Sequence, residues 1–524
     1  MTPQDVTPGA SPQLGPQQIS AASADQKRKL DSHFVGGVAW TAGAKWATQL
    51  LSWGYLFIVA RLLSTSDFGI SEMASYFFLL TNVLAEFGVG TAVLQMQELE
   101  KRTLVQLHTF SCMLGSIAFV SSSLAAPLIA LFFHNEHLTN LIRFNNLAFL
   151  LIGFQAVPLG LLQRDMDYRR LSIAEATQMV ILSSLTVLAA WTGFGYWSFV
   201  IGAFIGKLTG LVLVSYWKPM PFAMPRWREI RRPIELGRQA AIGRLAWAFY
   251  TQSDGIIIGR VLGDSSLGVY RMAMNLASAP AEKVSTLIMR ATGPLFAKVQ
   301  NDPALVRRYL LILTEVLTMI ELPLMVGLGM VAPEAVRVIL EPKWAGLVSP
   351  LRWLVVFMTM RTLGTLIEQV LISQRATRFT MRLSLLNLLM MPVAFFFMAH
   401  WKGSSGVAAS WVVLAPVTVF PLVLKVIQTV HARSLDFLNA LLPAVSSCAV
   451  MVAVLFGLRM WLVNQSLPAL ASLITQVVAG TIVYGAVLIG FFGGRVQRYV
   501  RFLRDMRKGK KEFTGTGLGE AALD

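Results

Sequence analysis

Charged side chains stand inside stretches that are otherwise apolar, and they recur there at helical spacing. Thr41, Lys45, Gln49 and Ser52 follow one another at steps of four, four and three, which puts them on one helix face. Arg244, Thr251 and Asp254 share a face of a later stretch. Arg271, Asn275, Ser278, Glu282 and Ser285 share a face of the next, with Lys283 and Arg290 seven residues apart beside them. Arg361, Thr365 and Glu368 form another stripe, and Asn82 with Glu86 a shorter one. The chemistry this offers is electrostatic rather than covalent. Lys45, Arg244, Lys283, Arg290 and Arg361 are fixed cations that suit an anionic ligand, phosphate above all. Asp254, Glu282, Glu368 and Glu86 are carboxylates suited either to a coupling proton or cation, or to partnering nearby arginines. Structural ion pairing, Arg244 with Asp254 or Arg361 with Glu368, is the alternative for individual residues. Five polar stripes taken together favour a wet cavity with a cationic lining.

Nothing in the chain reads as a catalytic centre. There is no G-x-x-x-x-G-K-[ST] phosphate loop and no nucleophile motif. Two histidines, His134 and His137, lie three apart in a loop without the further ligands a metal needs. The two cysteines, Cys112 and Cys448, both fall in apolar stretches and imply no disulfide framework. The expectation is no catalytic residue, no metal and no cofactor.

The elements that must carry these charges are membrane helices. The 524 residues are 55% hydrophobic and 14% charged, against about 25% charged for a soluble domain. Fourteen apolar stretches are each long enough to cross a bilayer, at 35–60, 73–96, 110–133, 144–162, 173–190, 197–216, 239–259, 271–296, 310–331, 351–373, 383–399, 406–426, 440–462 and 470–492. A charge at mid-bilayer costs several kcal/mol, so it faces a protein interior or a wet cavity. By that rule the first, second, seventh, eighth and tenth stretches are the wet ones. The third, fifth and eleventh to fourteenth are nearly uncharged and face lipid. Lys207, in the sixth, reads as a lysine that snorkels to the interface. Pro280 and Pro323 mark bends.

Net charge is +17, and its placement argues for topology rather than nucleic acid. Basic residues gather on alternate connections: Lys27 to Lys29, Lys101 and Arg102, Arg164 to Arg170, Lys218 to Arg238, Lys298 to Arg308, Arg375 to Arg382, Lys425 and Arg433, and Arg495 to Lys511. The other side is sparse, holding Arg61, Arg143, Arg260, Arg337, Lys343 and Lys402. The positive-inside rule then puts both termini in the cytoplasm. External loops are short, the longest running from Ala332 to Pro350, which leaves no space for an external catalytic domain.

The chain also repeats itself at an offset of 199 residues: Arg61 falls on Arg260, Leu63 on Leu262, Gly69 on Gly268, and Lys45 on Arg244. Six helices per repeat make the two copies parallel, related by an axis along the membrane normal. The expected organisation is a disordered cytoplasmic tail over 1–33, an N-lobe over 34–217, a cytoplasmic linker over 218–235, a C-lobe over 236–430, two added helices over 431–492, and a basic tail over 493–524. In that tail Val496, Tyr499, Val500, Leu503 and Met506 recur at helical spacing between arginines, as in an amphipathic helix on an anionic leaflet. The fold class is all-α integral membrane, with about fourteen spans and two six-helix lobes around a central cavity.

Several segments resemble bacterial polysaccharide flippases. Val59 to Gly69 (VARLLSTSDFG) is similar to the "ARLLSPxDFG" signature of that family, and Glu86 to Gln95 to its "DLGLGxALIQ" block. Gln163 to Leu171, Asp254 to Arg260, Gly268-Val269-Tyr270, Pro294 to Gln300 and Lys343-Trp344 extend the likeness over roughly residues 34–380. A glycine expected between the tenth and eleventh spans is replaced by Gln374-Arg375. The resemblance is to the lipopolysaccharide and exopolysaccharide branch of the multidrug/oligosaccharidyl-lipid/polysaccharide exporters. It implies a flippase of the bacterial inner membrane that moves an undecaprenyl-pyrophosphate-linked oligosaccharide by alternating access. The implied partners are that lipid-linked glycan, membrane lipid, a polysaccharide polymerase and a chain-length regulator. A lipid II flippase or a multidrug/cation antiporter of the same superfamily is the alternative, and a membrane glycosyltransferase or polymerase a remote one. An antiporter for cations wants an acidic cavity, whereas cations outnumber acids on the wet stripes here.

Overall fold

The computed structural model describes residues 48–86, 89–95, 100–464 and 468–507. All regular structure among them is helical. This is what lipid demands, because a helix satisfies its backbone polar groups within one segment. In chain order the helices are α1 (48–62), α2 (Thr65–Glu86), α3 (Val89–Gln95), α4 (Lys101–Phe133), α5 (Leu138–Asn146), α6 (Ala148–Arg164), α7 (Tyr168–Trp191), α8 (Trp197–Trp217) and α9 (Trp227–Leu262). They continue as α10 (Asp264–Val299), α11 (Pro303–Ala335), α12 (Val348–Ser373), α13 (Thr377–Val413), α14 (Ala415–Thr418), α15 (Phe420–Thr429), α16 (Ser434–Asn464) and α17 (Ala469–Arg507).

Nine segments among the described residues are long and apolar enough to cross a membrane. One of them, Thr377–Thr429, has 53 residues, about 80 Å of helix against about 30 Å of hydrocarbon. It breaks at Lys402 and at Gly403, whose φ of 61° suits a residue without Cβ. Helices α2, α9 and α10, which carry polar stripes, are not among these nine. The fourteen spans expected from the sequence include these three. Large apolar side chains of α4, α13 and α17 are open at the surface, among them Leu124, Leu128, Leu389, Phe397 and Ile482, as lipid-facing helices require.

The described residues pack as two compact units. The first takes the chain up to Leu63 and Ala74–Ala248; the second takes Ser64–Met73 and the chain from Phe249 onward. In the first unit, small residues let helices approach closely. Gly115 of α4 meets the backbone of Phe149, and Gly153 of α6 that of Ser111. Phe78 of α2 stacks on Phe149 with centroids 4.7 Å apart. The stretch expected as a linker is partly helical, since α9 starts at Trp227. Gln106 of α4 holds this entry: it accepts from the Arg226 N–H at 2.9 Å and donates to Glu229 at 2.5 Å. Ile230 and Ile234 bury against Val93, Leu107 and Val157.

In the second unit, Asp302 caps α11 by accepting from the N–H groups of Ala304 and Leu305, and Pro303 opens the helix where its missing N–H is harmless. Phe296, Leu310, Leu366, Val370 and Val426 form the core between α10, α11, α12 and α15. Helices α16 and α17 pack at Met451, Leu455 and Tyr484, and the Tyr484 O–H donates to the Met319 carbonyl at 2.7 Å. Helix α10 runs through Pro280 and α11 through Pro323; among the described residues, non-helical backbone angles inside helical runs fall at Lys402–Gly403 and at Phe492. The stretch read as the longest external loop, Ala332 to Pro350, is helical for most of its length: α11 ends in it, α12 begins in it, and π and 3-10 turns over Val336–Leu340 and Pro342–Leu347 join them. Its Trp344 is fully buried, edge-on to Phe68 at 5.1 Å.

Candidate functional site

One polar cluster of the second unit is built on Asp254. This side chain is fully buried in α9, where an unpartnered carboxylate would cost several kcal/mol. It is not unpartnered. The Tyr270 O–H donates to Asp254 Oδ2 at 2.6 Å, and the Gly255 N–H donates to Oδ1 at 2.7 Å. Trp411 Nε1 in turn donates to the Tyr270 oxygen at 3.2 Å. The Trp411 indole is boxed by Phe357 at 4.4 Å, Phe395 at 4.9 Å and Tyr250 at 5.9 Å. Three helices, α9, α10 and α13, therefore fix one carboxylate in a dry aromatic shell.

The other expected residues of this unit stand on α10 and α12. Arg361 and Glu368 share a face of α12, and both lie within electrostatic reach of Tyr250, as does Asp254. Arg361 is exposed and Glu368 half-buried, and the guanidinium of Arg361 meets Met358 Sδ at 3.8 Å. Among the described residues no ion pair joins Arg361 to Glu368. Lys283 is half-buried and Glu282 exposed on α10. Arg271 is paired with Glu72 of α2 at 3.2 Å. Of the remaining expected residues, Lys45 lies outside the described residues; Arg244, Glu86 and Arg290 lie on described helical backbone, but their side chains do not belong to the described part.

The structure also places polar groups outside the polar stripes of the sequence. Glu321, fully buried in α11, accepts from Thr362 Oγ1 at 2.8 Å. Glu315, one and a half turns earlier, accepts from the Tyr499 O–H at 2.6 Å and faces Arg495 at 3.4 Å. Arg495 also donates to the Asn439 carbonyl at 3.1 Å, so the C-terminal end of α17 is fastened to α11 and α16. The signal for both glutamates was present, as acids in an otherwise apolar run. Tyr270 stood only as part of a motif, and Trp411 carried no signal at all. In the first unit, Lys207 is not a snorkelling lysine. It sits at the middle of α8 with its ammonium 4.2 Å from the centre of the Phe78 ring. Among the described residues no cluster of three or more His, Cys, Asp or Glu could hold a metal.

Comparison with known proteins gives this arrangement its context. The chain is 27% identical over 321 residues to the succinoglycan biosynthesis transport protein ExoT of Rhizobium meliloti, covering 59% of this chain and 63% of that one. It is 24% identical over 356 residues to the lipopolysaccharide biosynthesis protein WzxC of Escherichia coli, covering 65% and 70%. Among solved structures, the lipid II flippase MurJ in an inward closed conformation is similar with a TM-score of 0.69 at 15% identity, over 87% of this chain and 99% of that one. An inward-facing MATE transporter of the MOP superfamily follows at 0.54 and 15%, over 74% and 96%. The likenesses to solved structures show a shared multi-helix fold. The sequence profile of one family, described as polysaccharide biosynthesis protein, matches residues 58–349, more than half of the length, and to that family this membrane protein belongs.

Proposed function

We propose that the protein flips an undecaprenyl-pyrophosphate-linked oligosaccharide repeat unit from the inner to the outer leaflet of the bacterial inner membrane, for exopolysaccharide or lipopolysaccharide assembly. The observation that carries this is the family match over residues 58–349, together with relatives named for polysaccharide biosynthesis and transport. A transporter without catalytic groups fits the residues: cations for the pyrophosphate, and amides and hydroxyls for the glycan. In this reading the N-lobe is 34–217 and the C-lobe 236–430, joined by the linker 218–235 and followed by helices over 431–492. Both termini are cytoplasmic, with the tails at 1–33 and 493–524. Lys45, Arg244, Lys283, Arg290 and Arg361 hold the pyrophosphate from the cavity walls, and Asp254, Glu282, Glu368 or Glu86 carries the coupling ion. The enclosed Asp254 supports the C-lobe as the coupling half. A polymerase and a chain-length regulator take the flipped product.

The test is loss of the protein in its own host. Cells lacking it should accumulate the lipid-linked repeat unit with its sugars facing the cytoplasm, protected from impermeant periodate, and should export no polymer. Normal polymer without this accumulation would sink the proposal. Accumulation of peptidoglycan precursors would move the substrate to lipid II, and loss of drug efflux alone would make the protein an antiporter.

A further inference from the structure

Lys207 is the mid-membrane cation that the cavity reading leaves unused. It stands ten residues from either end of α8, about 15 Å along the axis. A four-carbon stem does not cover that distance, so the ammonium cannot reach water at either interface. The charge turns inward instead, onto the face of Phe78, 4.2 Å away. Phe78 is itself backed by the buried ring of Phe149, stacked at 4.7 Å with planes 9° apart. The ring under the ammonium is therefore a fixed floor rather than a mobile lid. Among the described residues no carboxylate forms an ion pair with Lys207. It remains partly accessible.

Its surroundings are those of a polar niche. On α2, Asn82 lies four residues beyond Phe78 and thus on the same face. On α8, Gly210 lies one turn from Lys207, and the amides of Gln178 and Gln155 both approach it: a Cβ there would stand 2.6 Å from Gln178 Oε1 and 3.6 Å from Gln155 Nε2. A charge held at mid-bilayer marks a functional position. A cation on an aromatic floor, flanked by amides, has the chemistry to grip an anionic oxygen group and the hydroxyls next to it. We propose that Lys207, with Phe78 beneath it, Asn82 one turn along α2 and the amides of Gln155 and Gln178 at the next turn of α8, is an anion-binding site of the first unit, taking a phosphate or a sugar carboxylate of the transported molecule. The physiological source of the anion rests on the flippase reading; the binding itself does not.

The full chain, purified in detergent, is titrated with inorganic pyrophosphate, with glucuronate and with glucose, following tryptophan fluorescence or heat. The wild type and Lys207→Arg should bind pyrophosphate, glucuronate or both. Lys207→Met should weaken that binding at least tenfold. Loss confined to pyrophosphate identifies the lipid-linked phosphate, and loss confined to glucuronate identifies an acidic sugar. Wild-type protein that binds neither probe, or Lys207→Met that binds both as the wild type does, overturns the site. Because removing the cation from the Phe78 ring can unsettle the first unit, a second variant restores it after folding. Lys207→Cys treated with 2-aminoethyl methanethiosulfonate should regain binding and with the methyl reagent should not; the native Cys112 and Cys448 are buried. Equal recovery with both reagents overturns the role of the charge. Anion binding in a protein that flips no glycan would remove the proposed function and leave this site standing. Normal flipping by Lys207→Met protein that has lost no anion affinity would do the reverse.

Discussion

Gly69 and Gly268, equivalent positions in the internal repeat, each pack against the helix that carries the other. A Cβ on Gly69 would stand 1.8 Å from the Asp264 carbonyl oxygen, and one on Gly268 would stand 1.9 Å from the Thr65 carbonyl oxygen. Thr65 and Asp264 are themselves 199 residues apart, so the contact is reciprocal, like a two-fold interface closed within one chain. Thr65 Oγ1 and Ser265 Oγ complete it at 2.7 Å. The repeated motif thus exists, in part, to meet its own copy.

Gly69→Ala and Gly268→Ala should each destabilise the protein, by about 1–3 kcal/mol, the usual cost of overpacking. The obstacle is backbone, which no rotamer change relieves. The double variant should cost less than the sum, since helices already parted by one methyl have space for the second. Gly364→Ala, where the added carbon meets nothing within 4 Å, is the control. Thermal unfolding in detergent measures all four; an additive double variant would contradict a shared contact.

Arg375→Gly should stabilise the protein. Gln374-Arg375 stands where a glycine is expected between the tenth and eleventh spans. Arg375 closes α12 with φ of 60°, and its N–H donates to the Ile372 carbonyl at 3.0 Å. An L-residue in that region costs about 1–2 kcal/mol that glycine does not. A rise in the unfolding midpoint, with unchanged export, is the expected result.

Much of the fold was legible because lipid enforces long apolar runs and a chain cannot hide them. The candidate site was legible only where its residues shared one helix, as Arg361 and Glu368 do. Glu72 with Arg271, and Trp411 with Tyr270, unite residues 199 and 141 positions apart, and no periodicity within either segment announces the partner. For Lys207, hydropathy gives depth but not the direction in which the side chain turns. The turns over Val336–Leu347 were missed because their Pro, Lys and Glu resemble loop composition, while the anchoring of Trp344 against Phe68 is tertiary.

Arg361→Ala and Lys283→Ala should reduce polymer export about tenfold or more while the protein inserts normally, since a charge-assisted contact to phosphate contributes roughly 1.5–3 kcal/mol. Lys45→Ala and Arg244→Ala should behave alike. Arg361→Lys should retain most activity, because the cavity needs positive charge more than one geometry. Export at wild-type level in all four alanine variants would remove the cationic lining from the mechanism.

Asp254→Asn should abolish the dependence of export on an ion gradient, whereas Glu282→Gln, exposed on α10, should leave it intact. Tyr270→Phe takes the O–H from Asp254 Oδ2 and should cost about 1–3 kcal/mol of stability as well. Transport into vesicles with and without an imposed gradient separates the two effects. Gradient dependence that survives in Asp254→Asn would end its role in coupling.

Tyr499→Phe should loosen the end of α17 and expose it to protease sooner than in the wild type, because Glu315 then keeps only Arg495. Glu315→Gln should do the same more weakly, as an amide oxygen still accepts from the tyrosine. Limited proteolysis of spheroplasts after permeabilisation reads the difference.

The path from Trp411 to Asp254 has a direction written into it. An indole N–H can only give a hydrogen, so Trp411 always points its proton at Tyr270. A phenol has one hydrogen of its own, and it is spent on Asp254. While that carboxylate is bare, every hydrogen in the chain has a destination. Once a proton arrives on Oδ2, Tyr270 becomes the receiver from both sides, and its own hydrogen must turn elsewhere. Occupancy of a single oxygen is thereby translated into the rotation of a neighbouring hydroxyl on another helix, a mechanical message that needs no movement of the backbone to begin.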